Sequence, residues 1–238
     1  MKKVLAVNSD PRKHSETAQL LEASLEGARE AGAQTTMIYL CDLNFSGCIG
    51  CASCKRLGHP SYNKCILKDD LTPILQELRE TDVIILGTPL MFAKINGDMQ
   101  NFLERWFQPE NTNEPYNASM WPRVTRTALY LTTYQSQAEM LQMGYQFPAT
   151  GLMKRFVGDL HIKLITDTMQ FPEDSDNYYA FQYDAAQRKE LYHTRFQEQL
   201  QEARQLAKQL TELPAEIGNP YREQHIKWYH EHVLGITE

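Results

Sequence analysis

The sequence predicts an α/β protein: a doubly wound parallel sheet of five strands with a helical C-terminal extension. Three observations predict it. Short apolar runs of strand length alternate with amphipathic runs of helix length through residues 1–170. The run Val83-Ile84-Ile85-Leu86 is apolar without interruption, as a strand covered on both faces must be. Beyond residue 170 the alternation stops and charged helical periodicity takes over.

The elements follow in order. Lys3–Asn8 is the first strand, with Val4-Leu5-Ala6-Val7 its apolar body. Ser15–Gly32 is a helix with Ala18, Leu21, Leu25 and Ala28 on one face, Ser15 as start signal and Gly32 as C-cap. Thr35–Leu40 is the second strand, and Cys41, just beyond it, reads as a small core residue. A cysteine-rich loop runs to Lys68, and Asp70–Thr81 is a helix with Ile74, Leu75 and Leu78 inward. Asp82–Gly87 is the central strand, ended abruptly by Gly87-Thr88-Pro89. Asn96–Phe107 is a helix, Thr125–Thr132 the fourth strand, Gln137–Gly144 a short helix and His161–Thr166 the fifth strand. Phe171–Tyr183 is an aromatic, acidic loop. Gln187–Leu213 is one long helix, broken by Pro214 and Gly218-Asn219-Pro220, and Tyr221–Gly235 is a last short helix. Residues 1–170 are thus expected to form the sheet domain, with 41–68 an insertion in it. Residues 171–238 are expected to form a helical extension packed on the core or on a neighbouring subunit.

Composition excludes several classes. The chain of 238 residues is 42% hydrophobic, enough for a sizeable core, yet no apolar run approaches the roughly 20 residues that cross a bilayer. A net charge of -6 argues against a nucleic-acid surface. Met1-Lys2-Lys3 leads straight into a strand, so no signal peptide is expected and the location is expected to be cytoplasmic. Five cysteines, four of them crowded, then point to metal or redox chemistry rather than a disulfide framework.

Ligands of such sheets lie beyond the carboxyl ends of the strands. After the first strand, Asn8–Thr17 is a hydroxyl-rich turn feeding a helix, whose opening N–H groups and dipole favour an anion. Ser9, Ser15 and Thr17 offer hydroxyls and Arg12 a guanidinium fork, so a phosphate is the ligand this turn suits, unless Ser15 merely caps the helix. The turn has neither Gly-x-Gly-x-x-Gly nor a Gly-Lys-Ser/Thr ending, which excludes the dinucleotide and triphosphate loops. After the third strand, Pro89, Leu90, Met91 and Phe92 suit a flat aromatic ligand, or else complete the core. After the fourth, Thr132 and Thr133 can bond a ring carbonyl and Tyr134 can cover it, a helix cap being the plainer reading. Cys48-x-x-Cys51-x-x-Cys54 and then Cys65 look more like a [4Fe–4S] site than a zinc site, which favours two separated pairs; four free thiols are the remaining alternative.

Asn8–Arg12 with Ser15 and Thr17, the cysteine run followed by Lys68-Asp69-Asp70, and Gly87-Thr88-Pro89-Leu90-Met91-Phe92 come in a fixed order at strand ends. In this the chain resembles the NAD(P)H-dependent FMN reductase superfamily, and its iron–sulfur flavoprotein branch in particular, over residues 1–135. The resemblance implies a flavodoxin-like fold with strand order 2-1-3-4-5 and FMN across the carboxyl edge. It implies that Ser9, Arg12, Ser15 and Thr17 hold the phosphate, that Pro89, Leu90, Met91 and Phe92 line the flavin ring, and that Cys48, Cys51, Cys54 and Cys65 hold a cluster. The implied activity is an FMN-dependent oxidoreductase using NAD(P)H, a homodimer or homotetramer, without a nucleic-acid or membrane partner. A cluster-free quinone or FMN reductase and a non-catalytic flavodoxin-like electron carrier are the alternatives. The sequence departs from the pattern at Asn8 and Asp10, which replace a glycine and a small residue, and at Met91, which replaces a common tyrosine. Asp10 brings a negative charge to a dianion site, which costs binding unless it points outward.

No catalytic triad is evident, and His14 reads as a solvated loop histidine. The terminal His225, Trp228, Tyr229, His230 and His232 read as an aromatic docking face rather than a metal site.

Overall fold

The computed structural model describes residues 1–111, 125–142, 159–169 and 184–214, together with residues 227 and 231. In chain order the elements are β1 (Lys3–Asn8), α1 (Glu16–Glu30), β2 (Gln34–Tyr39), α2 (Leu71–Leu78), β3 (Val83–Met91), β4 (Lys94–Ile95) and α3 (Gly97–Glu110). They continue with β5 (Arg126–Thr132), α4 (Gln137–Gln142), β6 (Asp159–Ile165), α5 (Ala185–His193) and α6 (Arg195–Glu212). The sheet runs β2-β1-β3-β5-β6, all parallel, and β4 adds only a short antiparallel pairing to the end of β3. With β4 set aside, the five parallel strands have the expected order, and the fold is flavodoxin-like.

Side chains alternate faces along each strand, so the sheet divides the core in two. On one face Leu5, Val7, Ile84, Leu86, Leu129 and Leu131 pack under α2 and α3. On the other, Val4, Ala6, Val83, Ile85, Ala128 and Tyr130 pack under α1 and α6. Helix α1 begins at Ser15, whose Oγ accepts from the Ala18 N–H at 3.2 Å. It ends in a Schellman motif: Gly32 at φ +79° donates to the Arg29 carbonyl and Ala33 to that of Ala28. Both ends of α1 are therefore capped from within the chain. Gly27 gives α6 its close approach, since a Cβ there would lie 2.0 Å from the Arg204 carbonyl oxygen.

Three expectations are corrected. The strand expected to stop at Gly87 continues to Met91, because pairing with β5 persists through Pro89↔Thr132 after pairing with β1 has ended at Asn8↔Gly87. Pro89 costs no ladder bond there, since its nitrogen faces the side that β1 has already left. The helix expected over Gln187–Leu213 is two, α5 and α6, broken at Thr194, where the hydroxyl bonds back to the Glu190 carbonyl at 2.8 Å. Cys41 is exposed rather than in the core, because the chain leaves the sheet at Tyr39 and turns outward. The expected loop Phe171–Tyr183, the last helix Tyr221–Gly235 and its aromatic and histidine residues lie outside the described residues. Among the described residues no helix is long and apolar enough to cross a membrane.

Candidate functional site

The carboxyl ends of β1, β3 and β5 bring the first set of expected residues together. Ser9 is fully buried, and both its N–H and its hydroxyl donate to the Gly87 carbonyl, at 3.0 and 3.3 Å. The loop from Asp10 to Ser15 is organised around the Asp10 carboxylate, which is only 1% exposed. Its Oδ1 accepts from the Arg12 backbone N–H at 2.9 Å and from Arg12 Nε at 3.2 Å. Its Oδ2 accepts from Arg12 Nη2 at 3.2 Å and from the Thr17 hydroxyl at 3.3 Å. Thr17 also meets the Thr132 hydroxyl at 2.7 Å, tying the loop to the end of β5. Ser15 acts as the helix cap, the plainer of its two readings. Beside the loop, the buried Glu16 carboxylate accepts from the Met169 N–H at 2.8 Å, and burial pushes its pKa up to about 8.

The other two strand-end segments divide by exposure. Pro89 and Leu90 are buried in β3, whereas Met91 and Phe92 stand at the tip of the hairpin that β4 closes, and Phe92 is fully exposed. Phe92 and Ala93 both have positive φ, 52° and 56°, the backbone of a two-residue primed turn without the asparagine or glycine such turns favour. Asn96 fixes the base of this hairpin. Its Oδ1 caps α3 through the Met99 N–H at 3.1 Å, and its Nδ2 donates to the Ser9 carbonyl at 2.6 Å. Thr132 and Thr133 are buried. The Thr133 N–H donates to Ile165, its hydroxyl accepts from the Gln135 N–H, and Tyr134 follows half-buried at the edge.

The cysteine insertion forms a second centre. Cys48, Cys51, Cys54 and Cys65 line one small cleft together with Arg105 and Pro109 of α3. Cys54 is buried, which raises its pKa, while the Ser53 N–H lowers that of Cys51. Arg105 is the residue that sequence reading missed. It is 1% exposed and grips Asp69 with Nη1 at 2.6 Å and Nη2 at 3.0 Å. The same guanidinium donates from Nε to the Cys65 sulfur at 3.1 Å and from Nη1 to the Ser46 carbonyl at 2.9 Å. Lys55 donates to the Pro109 carbonyl at 3.0 Å, a cation at the end of α3. The insert between Cys54 and Cys65 is a run of turns, with the Asn63 N–H donating to the Cys54 carbonyl at 3.0 Å. The donor set fits an iron–sulfur cluster in its chemistry: four thiols on one cleft, with the Arg105 guanidinium of α3 at its wall beside Glu104. Among the described residues, no three His, Cys, Asp or Glu side chains stand close enough together to hold a metal ion.

A doubly wound sheet with a hydroxyl-rich strand-to-helix loop and two further loops at its carboxyl edge defines a nucleotide- or flavin-binding α/β protein. The chain belongs to the NADPH-dependent FMN reductase family, whose model matches residues 2–142. It is similar to an iron-sulfur flavoprotein of Methanocaldococcus jannaschii, 34% identical over 103 residues, which are 43% of this chain and 51% of that protein. An iron-sulfur flavoprotein of Archaeoglobus fulgidus is 33% identical over 103 residues, 43% of this chain and 48% of the relative. The chain thus spans about half the length of the curated relatives it matches. Among solved structures it is similar to the NAD(P)H:quinone oxidoreductase of Methanothermobacter marburgensis, with TM-score 0.61 at 15% identity, over 87% of this chain and 95% of the other. An FMN-dependent NADH-azoreductase of Bacillus anthracis, solved in complex with FMN, gives TM-score 0.59 at 14% identity, over 88% of this chain and 100% of the other. At these identities the likeness speaks for the fold.

Proposed function

We propose that the protein is an FMN-dependent oxidoreductase that takes its electrons from NAD(P)H. The observation that carries this reading is the convergence of the Asp10–Thr17 loop, the β3–β4 hairpin and Thr132–Tyr134 on one carboxyl edge, in a chain of the FMN reductase family. When bound, the flavin supplies hydride and single-electron chemistry at its ring. The protein's part is then to bind and orient. Ser9, Arg12, Ser15 and Thr17 surround the phosphate end; Pro89, Leu90, Met91, Phe92, Thr132, Thr133 and Tyr134 flank the ring. No side-chain acid or base is required of it.

In the fuller form of this reading, Cys48, Cys51, Cys54 and Cys65 hold a [4Fe–4S] cluster that passes single electrons between flavin and acceptor. Its support is the shared cleft and the iron-sulfur flavoproteins among the relatives. A cluster-free quinone or FMN reductase is the second reading, favoured by the spread of the thiols, no three of which are placed for a metal. A homodimer or homotetramer in a reducing cytoplasm suits either form, given five free cysteines.

The test is an absorption spectrum of anaerobically purified protein, with iron, acid-labile sulfide and NAD(P)H oxidation measured on the same sample. Flavin with about four irons per chain and turnover supports the full reading. Flavin and turnover without iron, even after anaerobic reconstitution, reduces it to the cluster-free enzyme. Protein that binds no flavin refutes both.

A further inference from the structure

The phosphate-loop residues carry more than the family reading assigns them. Both cations of the loop face carboxylates of the chain itself. Arg12 lies on Asp10 through Nε and Nη2, and Lys13 meets Asp42 at 2.7 Å. Asp10 is not directed outward, the one orientation that would spare a dianion its charge. It is buried beneath the loop and accepts from the Arg12 backbone, the Arg12 guanidinium and the Thr17 hydroxyl. These are anion-binding donors, and two of the four residues expected to hold a phosphate, Arg12 and Thr17, supply them. A carboxylate in this position does two things at once. It occupies hydrogen-bond donors that a phosphate needs, and it cancels the charge that would attract one.

We propose that Asp10 sets how this loop discriminates between a phosphorylated and an unphosphorylated flavin, acting as an internal anion that competes with the phosphate for Arg12 and Thr17. The proposal rests on the FMN reading above. FMN binds only as Asp10 yields part of its hydrogen bonds, so the phosphate adds little net affinity and riboflavin binds nearly as well. Removing the charge while keeping the side chain's shape frees the guanidinium for the ligand. Riboflavin, which has no phosphate, is indifferent to that change.

The experiment is a calorimetric titration of wild-type protein, Asp10→Asn and Asp10→Ser with FMN and, separately, with riboflavin. For the wild type the two dissociation constants are expected to lie within about tenfold of each other. Asp10→Asn is expected to tighten FMN by about tenfold or more while leaving riboflavin unchanged. FMN affinity that is unchanged or weakened in both variants overturns the proposal, and shows that Asp10 holds Arg12 in place for the phosphate instead. A wild type that binds FMN a thousandfold more tightly than riboflavin (an order-of-magnitude threshold, about 4 kcal/mol) also overturns it. Wild-type protein that binds neither flavin removes the FMN reading itself, and the proposal with it. The wild type alone gives an independent check, because a self-neutralised loop predicts an FMN dissociation constant that changes by less than about threefold between low and high salt. A steep rise with salt would mark a loop that presents net positive charge and would contradict the proposal.

Discussion

The Asp10–Thr17 loop and the cysteine cleft are built in opposite ways. The loop is a junction of regular elements: β1 leads in, α1 leads out, and β3 and β5 brace it through Gly87 and Thr132. Its buried Asp10 carboxylate is held within the chain by Arg12 and Thr17, while the buried Asn8 Nδ2 at its entry has no partner among the described residues. The cleft is walled by an irregular insertion whose shape depends on two long cations, Arg105 and Lys55, that tie it to α3. The difference teaches where each site is vulnerable. A site framed by strands and a capped helix loses affinity when a side chain changes; a site hung on one buried guanidinium loses its shape.

The largest effect is expected in the cleft. Arg105→Leu leaves Asp69 without its bidentate partner and removes the donor to Cys65, so it should cost about 3 kcal/mol or more of folding stability, read from chemical denaturation. If the proposed cluster and flavin sites are right, the same variant loses most of its uptake of iron and sulfide while flavin binding changes little. Equal loss of both cofactors would mean that the two regions fold as one unit and would dissolve the contrast. Next in size is Glu16, beside the loop. Its folded-state pKa of about 8 lies above the ordinary 4.5. The unfolded chain therefore ionises first as pH rises, and the stability present below about pH 4.5 is lost progressively up to about pH 8. Glu16→Gln keeps an acceptor for Met169 and cannot ionise. It should gain about 2 kcal/mol over wild type at pH 6 and match it near pH 4, measured as the difference in thermal unfolding. A gap that does not change with pH would show that Glu16 carries no desolvation penalty. The smallest effect is Ser15→Ala, which removes the α1 cap and should cost about 1 kcal/mol, visible as a lower melting temperature. A much larger cost would show the loop to be as dependent on one side chain as the cleft is.

Much of the fold was legible because it rests on local patterns. The buried strands announce themselves as apolar runs, α1 by a serine before a periodic stripe and a glycine after it, and the sheet order by the motifs at the strand ends. The misreadings fall where distant partners override local signals. Pro89 read as a strand breaker, but in the sheet its nitrogen faces the side that β1 has vacated. Phe92 and Ala93 carry no turn signature, and only the pairing of Leu90 with Ile95 and of Met91 with Lys94 forces the chain to reverse there. Thr194 breaks a helix whose periodicity runs straight through it. Arg105 left a faint trace, a lone arginine on the flank of the apolar stripe Met99-Phe102-Leu103-Trp106, with nothing local to say what it would grip.

By itself the sequence determined the parallel α/β architecture, the family and the residue types at the three strand ends, because hydrophobic periodicity and short motifs are properties of neighbours along the chain. Tertiary structure alone decided that Asp10 turns inward onto Arg12 and Thr17 rather than out to solvent. It also decided that Arg105 reaches 40 residues back along the chain to Cys65. Both are choices of partner for a charge in a place where water is scarce. Such choices depend on which donors the folded chain brings within hydrogen-bond reach, and that is a property of three-dimensional proximity rather than of sequence order.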